Sequence, residues 1–154
     1  MRRPLYENKT GKLIMTIIRQ YKETDLEAVL SSWKNTQKIA HPFLPKDFQA
    51  QEEINIQELY IPNAETWVAE ENNIVVGFIA LIGNEIGGLF LQPTHHGKKL
   101  GKMMVDKAQD LHGDLVVDVF KKNLIGNNFY SKYGFKLVEE KVHEQTGEKV
   151  LRLK

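Results

Sequence analysis

The sequence has no cysteine and no long apolar run, and each absence narrows what the protein can be. Without cysteine, disulfide bonds, thiolate zinc sites and a cysteine nucleophile are excluded. No stretch approaches the roughly 20 apolar residues of a membrane-spanning helix. The N-terminus, Met1-Arg-Arg-Pro4, also lacks the apolar core of a signal peptide. These absences predict a cytoplasmic protein with no membrane partner.

The sequence also has little excess charge of either sign. Lys and Arg number 21 against 20 Asp and Glu, which gives a net charge of +1. Nucleic-acid binders usually show a strong basic excess, so no nucleic-acid partner is expected, and any phosphate binding must come from a local arrangement. The 154 residues fit one domain. We expect that domain over residues 15–154, after a flexible N-terminal extension over residues 1–14, which are polar and show no periodicity.

Hydrophobic periodicity predicts eleven elements in the order β-α-α-β-β-β-α-β-α-β-β. Thr24 to Glu27 has the form of a capping box, and the Asn72-Asn73 pair between two extended runs predicts a β-hairpin. The order predicts an α+β (mixed α/β) fold with a central, mostly antiparallel sheet and helices on both faces. The predicted strands are residues 16–20, 66–70, 74–82, 86–91, 114–119, 135–142 and 150–153, and the predicted helices are residues 24–35, 46–60, 98–111 and 123–133.

A candidate phosphate site lies where the strand over residues 86–91 leads through a glycine-containing loop into the helix that begins at Lys98. Such a helix start presents unpaired backbone N–H groups and the positive end of the helix dipole, which suits a diphosphate. Lys98, Lys99 and Lys102 add positive charge. The alternative is an ordinary strand-to-helix turn with solvated lysines. The sequence has no G-x-x-x-x-G-K-[ST] motif, so an ATP P-loop is not predicted.

A second constellation lies in residues 123–135. Asn123 is a candidate N-cap, Phe129 fits the core, and Gly134 fits the C′ position that ends the helix. Tyr130 lies about 100° further round the helix than Phe129 and is placed to face a groove beside the preceding strand. The alternative is that Tyr130 is a packing residue with a solvated hydroxyl.

Together these segments resemble the GNAT superfamily of acyl-CoA N-acyltransferases, and the order of elements agrees from Met15 to Leu153. The family's loop reads R/Q-x-x-G-x-G/A; here Gly101 matches, whereas His96 replaces Arg or Gln and Lys99 replaces glycine. The family's later motif, N-x-x-A-x-x-F-Y followed by G-F, is matched at Asn123, Phe129, Tyr130, Gly134 and Phe135, with Gly126 in place of alanine.

The resemblance implies an N-acetyltransferase that moves an acetyl group from acetyl-CoA, as co-substrate and without a metal, to a primary amine of a small molecule or peptide by direct attack. It implies that Tyr130 is the acid for the leaving thiolate and that the backbone N–H of Leu91 stabilises the oxyanion. A bulge at Gly87-Gly88 fits a strand that separates from its neighbour. The implied coenzyme-binding residues are Phe90, Leu91, His96, Gly97, Lys98, Lys99, Leu100, Gly101, Lys102, Asn123 and Phe129.

The general base is less clearly indicated than the acid. Glu85 begins the fourth strand, and His41 lies between the first two helices, in a region that shapes the acceptor pocket in the family; each is equally explained as a surface residue. Deprotonation through water stays open. His95 and His96 have no third ligand nearby, so no metal site is expected. The aromatic residues Trp33, Phe43, Phe48, Tyr60 and Trp67 fit either a pocket or the core.

Two alternatives to an active enzyme follow from the same residues. The departures at His96 and Lys99 fit a non-catalytic coenzyme A-binding or regulatory module on the same fold. A nucleic-acid-associated module using the lysines of the loop would require strongly salt-dependent binding, and the net charge disfavours it. Pairing of sheet edges into a homodimer is compatible with the fold, although nothing in the sequence requires it.

Overall fold

The computed structural model describes residues 5–7 and 13–154, with side chains from residue 15 onward. The strands are β1 (Leu5–Glu7), β2 (Leu13–Gln20), β3 (Glu65–Glu71), β4 (Ile74–Ile82), β5 (Glu85–Leu91), β6 (Val116–Phe120), β7 (Leu137–Val142) and β8 (Lys149–Leu153). The α-helices are α1 (Leu26–Ala40), α2 (Lys46–Asn55), α3 (Ile61–Asn63), α4 (Leu100–His112) and α5 (Leu124–Tyr133). A π-helical turn, Ile56–Tyr60, joins α2 to α3.

The strands form one sheet in the order β1-β2-β3-β4-β5-β6-β8-β7. All neighbours are antiparallel except β5 and β6, which are parallel. Asn72 and Asn73 both have positive φ, 51° and 69°, in the turn between β3 and β4. Asparagine tolerates this conformation better than most residues, which is why the pair marks the hairpin.

Helices cover both faces of the sheet because successive strand residues point to opposite sides. On one face, Val68 and Phe78 pack with Val29 and Trp33 of α1. On the other face, their neighbours Ala69 and Ile79 share a core with side chains of α4 and α5, among them Leu100, Met104 and Tyr130. The sheet therefore separates α1 and the π turn from α4 and α5.

The predicted fold class, element order and helices on both faces are confirmed. The capping box at Thr24 is wrong, because the first helical turn begins at Glu23 and the backbone N–H of Lys22 donates to the Asp25 carboxylate at 2.8 Å. Arg19 contacts the same carboxylate at 2.8 Å, which holds it over the start of the helix and keeps the pKa of Asp25 below its usual range.

The expected extension over residues 1–14 lies mostly outside the described residues. Its described parts are extended: Leu5–Glu7 pairs with Leu13–Met15. For residues 1–4 and 8–12 the expectation stays a prediction. No helix among residues 5–7 and 13–154 is long and apolar enough to cross a membrane.

Candidate active site

A V-shaped opening in the sheet creates the main groove of the molecule. Strands β5 and β6 pair only at Glu85–Val116 and Ile86–Val117, and beyond these positions the two strands separate. The resulting groove of about 1170 Å³ is lined by Gly87 to Leu91 on one strand and by Val117 to Phe120 on the other. Residues of α1 on one face of the sheet and of α4 and α5 on the other also line the groove. The groove is therefore open to both faces of the sheet.

A β-bulge precedes the open part of β5. Ala80 pairs with Gly88 and Leu81 pairs with Ile86, so Gly87 is an extra residue opposite the shift. A bulge bends the strand that carries it. The bend and the loss of pairing to β6 occur at the same place in the chain. This is the place where the Gly87-Gly88 pair predicts a bulge and a separation of the strands.

The backbone N–H of Leu91 faces the groove rather than β4. Leu91 pairs with Gly77, and the flanking bond runs from the Gln92 N–H to the Val76 carbonyl at 2.8 Å. This pattern makes Gly77 and Leu91 a non-hydrogen-bonded pair, whose N–H and C=O groups point away from each other's strand. The Leu91 N–H is therefore available on the side where β6 has separated.

Two side chains fix the orientation of Leu91 by bonding its carbonyl oxygen. The Thr36 hydroxyl of α1 donates to it at 2.9 Å, and His96 Nε2 contacts it at 2.9 Å. Because a carbonyl only accepts, His96 Nε2 carries the hydrogen in this contact. His96 therefore ties the loop after β5 to the strand end, although it stands where the resemblance places Arg or Gln.

The loop that leads into α4 has two residues in the left-handed region, Gly97 with φ 83° and Lys99 with φ 65°. Lys99 is the N-cap of α4, so the expectation of helical conformation at Lys99 is wrong. Left-handed backbone favours glycine, which explains why the family pattern has glycine at this position. The first N–H groups of α4 have no intrahelical acceptor and lie beside the groove, together with Lys102.

Lys98 does not line the groove. Its ammonium lies 3.5 Å from the Glu71 carboxylate, which His95 also approaches at 3.6 Å. This contact ties the loop to the end of β3, and a direct role of Lys98 in coenzyme binding stays a prediction.

Gly101 allows α5 to approach α4 closely. A Cβ at Gly101 would lie 3.0 Å from Cε1 of Phe129. The glycine in the loop motif and the phenylalanine in the later motif are thus packing partners that line the same groove. Each of these two residues matches a family motif, and in the structure the two matches form a single contact between α4 and α5.

His41 and Asn123 join α1 to α5 across the opening. Asn123 caps α5 by accepting the Gly126 N–H at 2.9 Å, and its amide nitrogen lies 3.3 Å from His41 Nε2. His41 Nδ1 lies 2.6 Å from the side-chain oxygen of Gln37. A Cβ at residue 126 would lie 2.6 Å from the Asn123 amide nitrogen, so glycine replaces the family's alanine where Asn123 turns toward His41.

His41 is poorly suited to act as the general base. Burial lowers its pKa to about 4, and both ring nitrogens have partners. Its ring also packs edge-on against Phe43 and Phe120 at centroid distances of 5.8 and 5.3 Å. The geometry indicates a neutral imidazole that holds Asn123, which corrects the candidate role as base.

Glu85 is also not placed to act as the base. It lies at the closed end of the V, where β5 still pairs with β6, and it is absent from the residues that line the groove. Its carboxylate contacts Arg152 of β8 at 3.1 Å. The structure therefore assigns Glu85 to a contact between strands.

Tyr130 lies in the groove lining with its ring held by aromatic neighbours. Phe129 and Phe135 pack edge-on against it, both at centroid distances of 5.2 Å. The side chain is 5% exposed, and burial raises the pKa of its hydroxyl well above the usual range. The hydroxyl therefore keeps its proton at neutral pH and can donate to a group that becomes negatively charged.

The groove has two chemically different sides. The α4 side contains the α4 N-terminus with Gly97, Lys99 and Lys102. The α2 side contains Phe48, Glu52, Tyr60, His143 and Glu144, the last two from the turn between β7 and β8. The Phe48 and His143 rings are 5.5 Å apart, which brings the turn against α2. Unpaired N–H groups and lysines on the α4 side suit a diphosphate. Lys141 also lines the α2 side, but its ammonium is paired with Asp118 at 3.0 Å, so the carboxylates of Glu52 and Glu144 are the groups there that suit a cation.

The structure brings all but two of the predicted site residues to one groove. Trp33, Phe48 and Tyr60 line it as well, whereas Trp67 belongs to the core. No pattern in the sequence pointed to Phe120, His143 or Glu144, which also line the groove. Phe120 ends a short apolar strand, and His143 lies in a polar turn whose sequence is typical of a solvated surface.

Comparison with known proteins agrees with this geometry. Residues 62–137 match the family model of the acetyltransferase (GNAT) domain. The chain is 31% identical over 125 residues to the peptidyl-lysine N-acetyltransferase YjaB of Salmonella typhimurium, a match that covers 80% of this chain and 86% of that one. It is 28% identical over 124 residues to the peptidyl-lysine N-acetyltransferase YiaC of Escherichia coli, covering 80% and 85%.

Among solved structures, the solution structure of apo YjaB from Escherichia coli superimposes with a TM-score of 0.81 at 26% identity. The superposition covers 90% of this chain and 95% of that one. The similarity therefore extends beyond the matched segment.

Proposed function

This chain belongs to the GNAT family of acetyltransferases, and on that premise we propose that its acceptor is the ε-amine of lysine in a protein or peptide. As a member of the family, it is an enzyme that transfers an acetyl group from acetyl-CoA to an amine. The departures at His96 and Lys99 fit a non-catalytic coenzyme A-binding module, but Asn123 and Tyr130 are both present and line the groove, which favours the enzyme. A cytoplasmic location and a homodimer stay predictions.

The proposed coenzyme site uses the α4 side and the open part of β5. The N–H groups at the start of α4, with Lys99 and Lys102, bind the diphosphate, because a helix N-terminus and lysine ammonium groups both favour negative charge. The arm that carries the thioester enters between β5 and β6. The phenyl ring of Phe129, the loop residues 96–97 and 100–101, Phe90 and Asn123 line its path.

The proposed chemistry is direct attack of the amine on the thioester. The chain has no cysteine to hold the acetyl group as a thioester of its own. The backbone N–H of Leu91 stabilises the oxyanion, a contribution of roughly 3–4 kcal/mol for one well-placed donor. The Tyr130 hydroxyl donates its proton to the leaving thiolate. Direct attack predicts intersecting rather than parallel lines in double-reciprocal plots when both substrates are varied.

The observation that carries the acceptor proposal is the opposed chemistry of the two sides of the groove. On the α2 side, Glu52 accepts hydrogen bonds from the Tyr60 hydroxyl at 2.9 Å and from Asn55 at 3.2 Å. These contacts hold the carboxylate in place beside the groove, where it attracts an ammonium group. The aromatic rings of Phe48 and Tyr60 provide an apolar lining for the methylene chain of lysine. The names of both curated relatives support the same acceptor.

The test compares three acceptors, two peptides of matched length and one small amine. One peptide carries a single lysine and an acetylated N-terminus, the second has a free α-amine and no lysine, and the third acceptor is a small diamine. We expect kcat/KM to be highest for the lysine peptide by about tenfold or more, because only this acceptor combines an ammonium that reaches Glu52 with a methylene chain, attached to a peptide, that packs on Phe48 and Tyr60. Tenfold corresponds to about 1.4 kcal/mol. A preference for the α-amine or the diamine would contradict the proposal.

A pair of variants locates the acceptor contact. Glu52→Gln should raise KM for the lysine peptide about tenfold and leave the affinity for acetyl-CoA unchanged. Glu58 lies in the π turn and does not line the groove, so Glu58→Gln is the matched control and should change neither quantity. Equal effects of both substitutions would exclude a specific role of Glu52.

A further inference from the structure

The acceptor amine must lose a proton before it attacks, because an alkylammonium group has a pKa near 10. The two candidate bases from the sequence do not serve this step in the structure. Glu85 lies outside the groove, and His41 is buried with both ring nitrogens bonded. A side chain that accepts the proton, directly or through water, must therefore be another of the groups that line the groove. These are Glu52, His96, Asp118, His143 and Glu144.

His96 and Asp118 are already committed to other contacts. His96 Nε2 bonds the Leu91 carbonyl beside the loop that leads into α4. The Asp118 carboxylate contacts Arg152 and Lys141, both at 3.0 Å. These cations and the hydrogen bonds that they donate hold the pKa of Asp118 below its usual range. His96 belongs to the loop on the α4 side, where the diphosphate is proposed to bind, and Asp118 is held by two cations, so neither group is the proton acceptor that we infer for the acceptor side.

The two glutamates are better suited to attract the ammonium than to deprotonate it. Glu52 accepts hydrogen bonds from Tyr60 and Asn55, which hold its carboxylate in place beside the groove. Glu144 is exposed in the turn between β7 and β8. A carboxylate in such surroundings takes a proton only from a much stronger acid than an alkylammonium group. Imidazole, in contrast, changes charge close to neutral pH.

His143 brings an imidazole to a fixed position on the α2 side of the groove. Its Nδ1 lies 2.9 Å from the Thr146 hydroxyl, and that hydroxyl also accepts the Glu148 N–H at 3.3 Å. The backbone of His143 donates to the Glu148 carbonyl at 2.8 Å and accepts from Gly147 at 2.7 Å. The turn therefore holds the imidazole by Nδ1 and leaves Nε2 as the nitrogen for a substrate.

The ring of His143 lies between the two elements that border the acceptor side. Its centroid is 5.5 Å from that of Phe48 on α2 and 5.4 Å from that of Phe120 at the end of β6. Phe120 is also 5.3 Å from His41, next to Asn123 at the start of the helix that carries Tyr130. His143 is thus connected by ring contacts to the region where β5 and β6 diverge.

We propose that His143 is the catalytic residue that accepts the proton of the acceptor ammonium, an inference that rests on the amine-acetylating function above. The ammonium N–H bond breaks as the proton passes to Nε2 of a neutral His143, and the free amine nitrogen forms a bond to the thioester carbonyl carbon. When the C–S bond breaks, the thiolate takes a proton from Tyr130. The second proton leaving the amide nitrogen restores Tyr130 through water, and His143 releases its proton to solvent.

The charged groups on the elements packed around His143 would tune this step. They are Glu144 and Glu148 in the same turn, Lys122 paired with Glu148 at 2.7 Å, Asp47 and Glu52 on α2, Asp118 on β6 and Lys141 on β7. Both signs are represented.

The experiment is the pH dependence of kcat/KM for His143→Gln. Near pH 7 we expect a loss of about 100-fold, the lower limit for a positioned general base. Above pH 7 the loss should shrink by about tenfold per pH unit, because an increasing fraction of the amine is already deprotonated in solution. His112→Gln is the matched control, since His112 contacts Glu65 at 3.0 Å outside the groove, and its profile should follow that of the parent.

A second variant separates proton transfer from a structural role of the ring. Thr146→Val keeps the imidazole and removes the partner of Nδ1, so it should shift the acidic limb of the pH profile and leave the alkaline plateau unchanged. Coenzyme affinity measured by calorimetry should be unchanged in both variants if they are folded. A His143→Gln profile parallel to that of the parent, or a change in KM for the amine alone, would overturn the proposal.

The test of His143 does not depend on the proposal that lysine is the acceptor. The profiles are measured with any primary amine that the parent enzyme acetylates. If lysine peptides are poor acceptors but another amine is turned over, the acceptor proposal fails while the role of His143 is still tested on that amine.

Discussion

At the scale of single residues, Lys99 is the clearest conflict between sequence and backbone. It adopts φ 65°, a conformation that costs a non-glycine residue about 1–2 kcal/mol. Lys99→Gly removes this strain but adds freedom to the unfolded chain, at a cost of about 0.4–1 kcal/mol. We therefore expect a net stabilisation of about 0.5–1 kcal/mol, measured as the free energy of unfolding in urea.

The neighbouring lysine provides the control for that measurement. Lys98 is not among the residues with positive φ, and its ammonium contacts Glu71. Lys98→Gly should therefore destabilise the protein, because it gains no relief of strain and loses the contact. If both substitutions changed stability in the same direction, backbone strain at Lys99 would not be the cause.

Tyr130 supports a second prediction at this scale. Tyr130→Phe keeps the ring between Phe129 and Phe135 and removes only the hydroxyl. We expect kcat at saturating acetyl-CoA to fall by about 100-fold, a typical loss for a general acid, with little change in coenzyme affinity. Steady-state kinetics and calorimetry measure the two quantities.

A second tyrosine of the same helix is the matched control. The Tyr133 hydroxyl bonds Asp106 and Gln109 and does not line the groove. Tyr133→Phe should therefore leave kcat unchanged. Unchanged turnover of Tyr130→Phe would exclude the acid role, and loss of coenzyme affinity without loss of kcat would make Tyr130 a binding residue.

Residue types and spacing predicted which residues line the groove more reliably than they predicted the role of each residue. Asn123, Phe129 and Tyr130 follow from a local motif on one helix. The partners of Lys98, Glu85 and His41 are distant in sequence: Glu71, Arg152 and Asn123, respectively. Such contacts depend on how strands and helices pack, and no local pattern contains them.

At the scale of elements, His41 connects the end of α1 to the N-cap of α5. Because burial lowers its pKa to about 4, below the usual value of 6.5, the unfolded chain binds a proton at this site more readily than the folded protein. The contribution to stability is complete above pH 6.5 and is lost as pH falls from 6.5 toward 4. One pKa unit corresponds to 1.36 kcal/mol, so about 2–3 kcal/mol should be lost by pH 4.5.

The contribution of His41 is measured as a difference between proteins. His41→Gln should show a smaller fall in the free energy of unfolding between pH 7 and pH 4.5 than the parent, by about 2–3 kcal/mol. Protonation of carboxylates such as Asp25 contributes equally to both proteins and cancels. His112→Gln, which alters a surface histidine, should retain the parental dependence; a parental dependence in His41→Gln would show that His41 is not the titrating group.

The boundaries of most elements were predictable because their signals are local. Asn72-Asn73 marks the first hairpin, and Asn123 and Gly134 delimit α5. The π turn between α2 and α3 was not predicted, because its apolar spacing continues that of the helix and only its Ile61-to-Ile56 hydrogen bond distinguishes it. The separation of β5 from β6 depends on which residues of the two strands pair. Hydrophobic periodicity within one strand does not specify that pairing.

At the scale of the whole molecule, the groove divides the sheet into two parts. One part contains β1 to β5, and the other contains β6, β8 and β7 together with α5. Direct pairing between the parts is confined to two register positions of β5 and β6. Additional connections cross the opening from α1 to α5, through His41 and Asn123, and from α4 to α5, through Gly101 and Phe129.

This division predicts that acetyl-CoA stabilises the protein by joining the two parts. A ligand at about 100 times its Kd adds about 2.7 kcal/mol to the free energy of unfolding. For a chain of this size that corresponds to an increase in Tm of about 5–10 °C. Amide hydrogen exchange should slow in both β5 and β6, with the Leu91 N–H among the protected amides because it faces the groove.

Pantetheine, which lacks the diphosphate and adenosine, is the control for this prediction. It should slow exchange at β5 and β6 at sufficiently high concentration but leave the start of α4 unprotected, because only the diphosphate contacts that helix end. Protection confined to α4 with acetyl-CoA would place the coenzyme outside the opening and contradict the assignment of the V as its site. Protection on both strands would mean that the coenzyme binds in the gap between β5 and β6 and takes the place of the missing strand pairing. The same unpaired backbone groups would then both stabilise the complex and polarise the thioester.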